Sequence, residues 1–283
     1  MTTRLHLAQL DPTLGNLDAN LAKHVAAIDA ARADGAELVF FPELSLSGYF
    51  LKDQTAEVAL ARDAAPLEAL RELSKELTIG AGFVERARDG RLYNAYAIFE
   101  DGKLLHVHRK VHLVTYGMFE EGRDFAAGEH FQVAESKHGR IGVMICEDLW
   151  HASSAWLYFL AGVDLFLVPS AGPARGVSAV HDGFGSTRTW RTLLTNVGAM
   201  FQGWALYVNR VGCEDGITFG GGSRVVDPFG AEQTALDSLD VGALACEIDL
   251  AECERARLKT PLRRDEKPWL VLRELQRLEE EER

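Results

Sequence analysis

Arg140-Ile141-Gly142-Val143-Met144-Ile145-Cys146-Glu147-Asp148-Leu149-Trp150 is the stretch from which the fold can be read outward. Residues 141–146 form a short, continuously apolar run, the pattern of a strand buried on both faces. Such a strand delivers Cys146 to its C-terminal end, where the chain turns toward helix and the backbone N–H groups after the cysteine become free donors. An isolated cysteine beside a strand usually acts as an inert small hydrophobe. Cys146 differs because two carboxylates follow it instead of more core, whereas Cys213, Cys246 and Cys253 have nothing comparable around them.

Downstream, a helical segment at 155–162 precedes a strand at 165–168 that ends at Pro169. A helix within 186–203 follows, then strands at 206–208 and 223–226, the second closed by Asp227-Pro228-Phe229-Gly230. Upstream, residues 4–10 alternate as a half-buried strand. Asn16 is placed to cap a helix carrying Leu17, Leu21, Val25 and Ile28, which Asp34-Gly35 stops. An apolar strand ends at Pro42, and Pro66 opens a helix with Leu67, Leu70, Leu73 and Leu77 on one face. After a strand at 79–84, the turn dipeptides Asp89-Gly90 and Asp101-Gly102 bracket an antiparallel meander of 93–99 and 104–108. Alternating strands and helices with inserted hairpins imply a layered α/β architecture, helices covering mixed sheets. No Ser/Pro-rich linker divides the chain, so a single domain over 1–283 is expected. The tail, about 260–283, carries Trp269, Leu272, Leu275 and Leu278 at helical spacing. It reads equally as a helix packing on a neighbouring subunit and as a solvated terminal helix.

The 283 residues include 30 Lys+Arg and 42 Asp+Glu, a formal charge of −12, with 47% hydrophobic residues. That is a soluble globular composition. The basic residues are scattered, which argues against nucleic acid, whose phosphates demand a concentrated basic patch. The N-terminus lacks the pattern of a signal peptide, and no apolar run approaches a membrane span, so a cytoplasmic protein without a membrane partner is expected. Four cysteines without a Cys-x-x-Cys pair fit a reducing compartment.

Open α/β folds place reactive groups at strand ends. Two further ends carry unusual residues. Glu43, in Phe40-Phe41-Pro42-Glu43-Leu44-Ser45-Leu46-Ser47-Gly48-Tyr49, sits where desolvation would raise its pKa toward that of a base. Lys110, in Arg109-Lys110-Val111-His112-Leu113, leaves a strand ahead of the aromatic loop Tyr116-Gly117-Met118-Phe119-Glu120-Glu121-Gly122-Arg123. Taken alone, Glu43 reads as an ion-paired surface carboxylate and Lys110 as a snorkelling cation. A histidine base for Cys146 is not evident: His151 lies beyond Trp150, and His181 falls in a loop. Glu147, Asp148 and His151 do not complete a metal-ligand set, and the Gly220-Gly221-Gly222-Ser223 run lacks a Walker lysine, so no metal and no cofactor are expected.

Together these segments resemble the nitrilase superfamily of carbon–nitrogen hydrolases over most of the chain. Glu43 falls in Phe-Pro-Glu-x-x-x-x-Gly-Tyr, Lys110 in Arg-Lys-x-His-Leu and Cys146 in Ile-Cys-Glu-Asp. Val208-Asn209-Arg210-Val211-Gly212 and Gly221–Gly230 are similar to the family's late strands. The resemblance implies a four-layer α-β-β-α sandwich and a homo-oligomer built from dimers. It also implies a Glu43-Lys110-Cys146 triad, with Glu121 as the second glutamate and Glu120 as the alternative. The oxyanion would be held by Lys110 and the backbone N–H of Glu147.

Within the superfamily, the Cys146–Trp150, Tyr116–Glu121 and Val208–Gly212 stretches are most similar to the glutaminase portion of glutamine-dependent NAD synthetases. Val114, Thr115 and His151 depart from that pattern, and no pyrophosphatase loop is present. The expectation is therefore an amidase releasing ammonia from a small linear amide through a cysteine thioester. The alternatives are a glutaminase subunit serving a separate synthetase, or a catalytically silent scaffold. Tyr116, Trp150, His151 and Arg175 are the candidate substrate contacts.

Overall fold

The computed structural model describes residues 2–177 and 183–281; the expectation for His181 lies outside the described residues. In chain order the strands are β1 (Thr2–Gln9), β2 (Leu38–Phe40), β3 (Thr78–Arg86), β4 (Leu92–Glu100), β5 (Lys103–Arg109), β6 (Ala134–Ser136), β7 (Gly139–Val143), β8 (Leu165–Ser170), β9 (Trp204–Asn209), β10 (Cys213–Glu214), β11 (Ile217–Thr218), β12 (Ser223–Val226), β13 (Glu232–Leu236) and β14 (Gly242–Asp249). The helices are α1 (Leu17–Ala33), α2 (Ala65–Leu73), α3 (Glu121–Asp124), α4 (Ala152–Leu160), α5 (Gly185–Phe201), α6 (Ala251–Lys259), α7 (Leu262–Asp265) and α8 (Pro268–Glu281). Two six-stranded sheets run β14-β1-β2-β3-β4-β5 and β13-β12-β9-β8-β7-β6. Each has three parallel central strands, β1-β2-β3 in one and β7-β8-β9 in the other, flanked by antiparallel strands.

Alternation along each strand builds the layers. Leu5, Leu7, Leu38 and Phe40 face Ile141, Val143, Leu165 and Leu167 of the other sheet, and these residues form the central core. On the outer face of the first sheet, Val39, Ile79 and Phe83 meet Ile28 of α1 and Leu67 and Leu70 of α2. On the outer face of the second, Phe166, Val168 and Tyr207 meet Tyr158 of α4 and Leu194 and Val197 of α5. The four-layer α-β-β-α arrangement read from the resemblance is the one observed. Central parallel strands are covered on both faces, which is why their sequences read as unbroken apolar runs.

The N-cap and the meander fall where the sequence places them, and Asn16 accepts from the Ala19 N–H at 3.0 Å; α2, however, ends at Leu73, so Leu77 reaches the same core from the turn that follows and not from the helix. Two strand ends differ. The expected strand at 141–146 ends at Val143. Met144 still donates to Leu167, but the Ile145 N–H is taken by the Asp148 side chain at 3.0 Å, and Cys146 turns to φ 46°. Conversely, β8 runs through Pro169 to Ser170. Proline lacks a donor, but here the missing N–H falls on the side of β7, whose pairing with β8 stops at Val143↔Leu167. Among the described residues, no helix is long and apolar enough to cross a membrane. In α8, Trp269, Leu272, Leu275 and Leu278 are between 48% and 61% exposed.

His24 of α1 is fully buried and ties that helix to the loop after β2. Its Nδ1 meets the Asn20 carbonyl at 2.7 Å and its Nε2 meets Ser45 Oγ at 2.9 Å. Since a carbonyl only accepts, the neutral ring donates from Nδ1 and accepts the serine hydroxyl at Nε2. Burial lowers the His24 pKa to about 4. The unfolded chain therefore takes up a proton below about pH 6.5, while the native state does not until about pH 4. The resulting stability is present above that window and is lost as pH falls through it, at about 1.4 kcal/mol per unit. In urea unfolding between pH 7 and pH 4.5, the native protein should lose about 2–3 kcal/mol more than His24→Gln. Equal losses would refute this assignment.

Candidate active site

The C-terminal ends of the parallel strands open on the same end of the sandwich. Pro42 follows β2, and Leu44 then adopts φ 48°, turning the chain back on itself. Gly82 on β3 permits that bend, because a Cβ there would lie 2.3 Å from the Leu44 nitrogen and 2.6 Å from the Pro42 oxygen. The turn drives Glu43 inward, where it is buried and holds three partners. Its Oε1 accepts from Asn94 Nδ2 and Lys110 Nζ, each at 2.7 Å, and its Oε2 accepts from the Ala171 N–H at 2.8 Å.

Lys110 follows β5 directly and keeps one further ladder bond, from its N–H to the Asn94 carbonyl at 2.8 Å. Its carbonyl accepts from the Gly128 N–H at 2.7 Å. A side chain at Gly128 would strike the Arg109 carbonyl at 2.2 Å, so the two segments close only with glycine there. The Lys110 side chain is fully buried, and its Nζ lies 2.7 Å from Glu43 Oε1 and 2.7 Å from Glu121 Oε1. Glu121, not the exposed Glu120, is the second glutamate of this cluster. It opens α3 and also accepts from Tyr49 Oη at 2.5 Å and the Val114 N–H at 3.0 Å.

Burial and charge together set the protonation tendencies here. Burial disfavours the Lys110 ammonium, yet Glu121 and Glu43 outweigh it and hold its pKa well above the usual value. Burial raises the Glu43 pKa, with Lys110 opposing and Glu121 adding to the rise. One ammonium cannot neutralise two carboxylates, so this pocket of charge favours an extra proton. Burial, reinforced by Glu43, also pushes the Cys146 thiol well above its ordinary value. Such a thiol needs a base at the moment of attack.

Cys146 begins a single 3₁₀ turn, Cys146–Trp150. A positive φ at a non-glycine residue costs of order 1–3 kcal/mol and marks a position held by its surroundings. Cys146 lines a cavity of about 170 Å³ together with Tyr49, Val114, Tyr116, Phe119, Glu147, Trp150, Ala171, Gly172, Pro173, Arg175, Ser186 and Trp190. Glu43 and Lys110 lie behind it and contribute no surface to the cavity. Cys146 is thus the group between the solvent-facing pocket and the buried charges, within electrostatic reach of Glu43, Lys110 and Glu121.

Three of the four expected substrate contacts, Tyr116, Trp150 and Arg175, line this cavity, and His151 does not. The His151 ring stacks on His112 with centroids 3.6 Å apart, and its Nε2 lies 3.9 Å from Glu147 Oε1. The Glu147 carboxylate accepts from Tyr116 Oη at 3.0 and 3.1 Å, so this residue presents a side chain as well as a backbone to the pocket.

Sequence reasoning missed Asn94, Asp148 and Asn209. Asn94 faces Glu43, and Asn209 pins the loop after β8 by exchanging bonds with the Gly172 N–H and carbonyl at 2.8 and 3.1 Å. Asp148 is fully buried against His108. The available signal was a short polar residue inside or directly after an apolar strand, because a buried amide or carboxylate must have partners.

The sequence model of the carbon–nitrogen hydrolase family matches residues 4–258. Glutamine-dependent NAD(+) synthetase from Thermotoga maritima is 35% identical over 267 residues, covering 92% of this chain and 44% of that protein. The solved glutamine-dependent NAD+ synthetase from Acinetobacter baumannii is 28% identical with a TM-score of 0.79, covering 89% of this chain and 47% of that one. The Saccharomyces cerevisiae protein Nit3, a member of branch 10 of the nitrilase superfamily, is 25% identical with a TM-score of 0.79 and is matched over 95% of its length. The chain thus spans half the length or less of the NAD synthetases it matches, and nearly all of the nitrilase-superfamily protein. This chain belongs to the carbon–nitrogen hydrolase family and has the nitrilase fold.

Proposed function

We propose that the protein is a thiol amidohydrolase that releases ammonia from a small linear amide, with glutamine the favoured substrate. The observation that carries the reading is Lys110 Nζ, 2.7 Å from both Glu43 and Glu121, behind a cysteine that lines the pocket. Glu43 takes the Sγ proton as the sulfur bonds to the amide carbon. Lys110 Nζ and the Glu147 N–H hold the oxygen that becomes negative. Glu43 then returns the proton to nitrogen as the C–N bond breaks, ammonia leaves, and a thioester remains. Water, deprotonated by the same carboxylate, hydrolyses the thioester to acid and free thiol. Glu121 orients Lys110 and moves no proton.

Pocket chemistry supports the choice of substrate. The walls are aromatic, with one carboxylate, Glu147, and one guanidinium, Arg175. Opposite charges on one small cavity suit a zwitterionic α-amino acid whose side chain ends in an amide. The similarity to glutamine-dependent NAD synthetases points the same way. It also favours a second reading, in which the ammonia is delivered to an NAD synthetase module.

The test is ammonia release from glutamine, simple aliphatic amides, N-carbamoyl amines and nitriles, with and without an added NAD synthetase. Glutamine should lead by at least about tenfold in kcat/KM, since one charged contact contributes on the order of 1.4 kcal/mol or more. Stimulation by the synthetase would favour the delivery reading. No turnover of any compound would overturn both in favour of a silent scaffold.

A further inference from the structure

Four polar groups from two separate segments converge on the Asp148 carboxylate. Its Oδ1 accepts from the Val111 N–H at 3.0 Å and the His112 N–H at 2.9 Å. Its Oδ2 accepts from the Ile145 N–H at 3.0 Å and lies 2.9 Å from His108 Nε2. Those partners flank Lys110 on one side and Cys146 on the other. The four lone-pair sites of a carboxylate are thereby filled, at a position with no solvent exposure.

We infer that Asp148 is a positioning residue that sets the distance between the Lys110 ammonium and the Cys146 sulfur, acting as a two-sided clamp between the end of β5 and the turn after β7. The inference rests on the proposed hydrolytic role of those two residues. Lys110 and Cys146 come from different sheets, β5 and β7, which share no ladder. Without a tie between them, each segment relaxes on its own sheet. The clamp also accounts for the strand ending at Val143: the Ile145 N–H bonds to a side chain, and the cysteine is free to turn out of the sheet.

Asparagine has nearly the shape of aspartate but accepts on one side only, its NH₂ being a donor. Asp148→Asn therefore keeps one half of the clamp and turns a donor toward the N–H groups of the other. A misplacement near 1 Å in such a site costs about 10²-fold in rate. Asp148→Asn should lower kcat by about 10²-fold with KM changed less than about threefold. Its iodoacetamide alkylation profile for Cys146 should shift by at least about one pH unit, since the thiol no longer senses the Glu43–Lys110 pair at its native distance. His108→Gln, which retains the three backbone bonds, should give a smaller shift in the same direction. It also decides the matter should Asp148→Asn fail to fold.

A lowered Tm with unchanged kcat and an unchanged alkylation profile in either folded variant would reduce Asp148 to a structural residue and overturn the inference. Alkylation needs no turnover. A native protein that releases no ammonia from any amide while Asp148→Asn still shifts the alkylation profile would sink the hydrolase reading and leave the clamp standing.

Discussion

Cys146→Ala is expected to abolish ammonia release, lowering kcat by about 10⁴–10⁶-fold, because Cys146 is the one thiol among the described residues that line the pocket. Loss of one nucleophile in a group that acts as a unit removes nearly the whole rate enhancement. Folding should survive. Cys146 is only partly buried and packs on the rims of two cores, so trimming its sulfur to a methyl group costs little packing. The strained φ of 46° at this position is tolerated as well by alanine as by cysteine, since both carry one Cβ. Circular dichroism and thermal melting should match the native protein within a few degrees. Retention of more than a few per cent of native activity would end the thioester mechanism.

Lys110→Met should damage both activity and stability. Without the ammonium, the oxyanion loses one donor, a cost of about 10²–10³-fold in kcat. The larger consequence is electrostatic: Glu43 and Glu121, both buried, then face one another with no cation between them. Removing one partner of a buried ion pair costs about 3–5 kcal/mol, partly relieved when one carboxylate takes up a proton. That relief gives the effect a sign with pH. The folded variant holds a carboxyl whose pKa is raised above its unfolded value, so its stability is greatest below about pH 4.5 and falls as pH rises through the shifted pKa. The penalty relative to the native protein, measured by guanidinium unfolding, should therefore be larger at pH 8 than at pH 5. Lys110→Met/Glu121→Gln should recover most of the stability and none of the activity. A penalty that shrinks at high pH would show that the cluster is not charged in the way described.

Much of the site was legible because its parts lie at strand ends, and strand ends are announced by local signals. Pro42 stops an apolar run immediately before Glu43, and Cys146 breaks another ahead of two carboxylates. Other parts were not. Glu120 and Glu121 are adjacent acidic residues in one loop, and only the start of α3, bonded through the Glu121 N–H to Val114, turns Glu121 inward. His151 is near Cys146 in sequence, yet the 3₁₀ turn carries it to the far side of Glu147, where it stacks on His112. Asp148 was passed over because three of its four partners lie 36–40 positions away.

Periodicity and turn chemistry, local along the chain, were enough to define most strands and helices up to Val226 and the α/β layering, though not β6, β10, β11, β13, β14 or α6: alternation sets which side chains face the core, and proline, glycine and asparagine set where elements stop. Ordered motifs supplied the family and, with it, the three residues to bring together. Tertiary structure alone decided that one ammonium sits between two carboxylates, that a buried aspartate joins the two sheets behind the cysteine, and which aromatic and charged groups wall the pocket. These are contacts between residues far apart in sequence, made favourable only when packing excludes water from them. No local pattern in the chain encodes that exclusion.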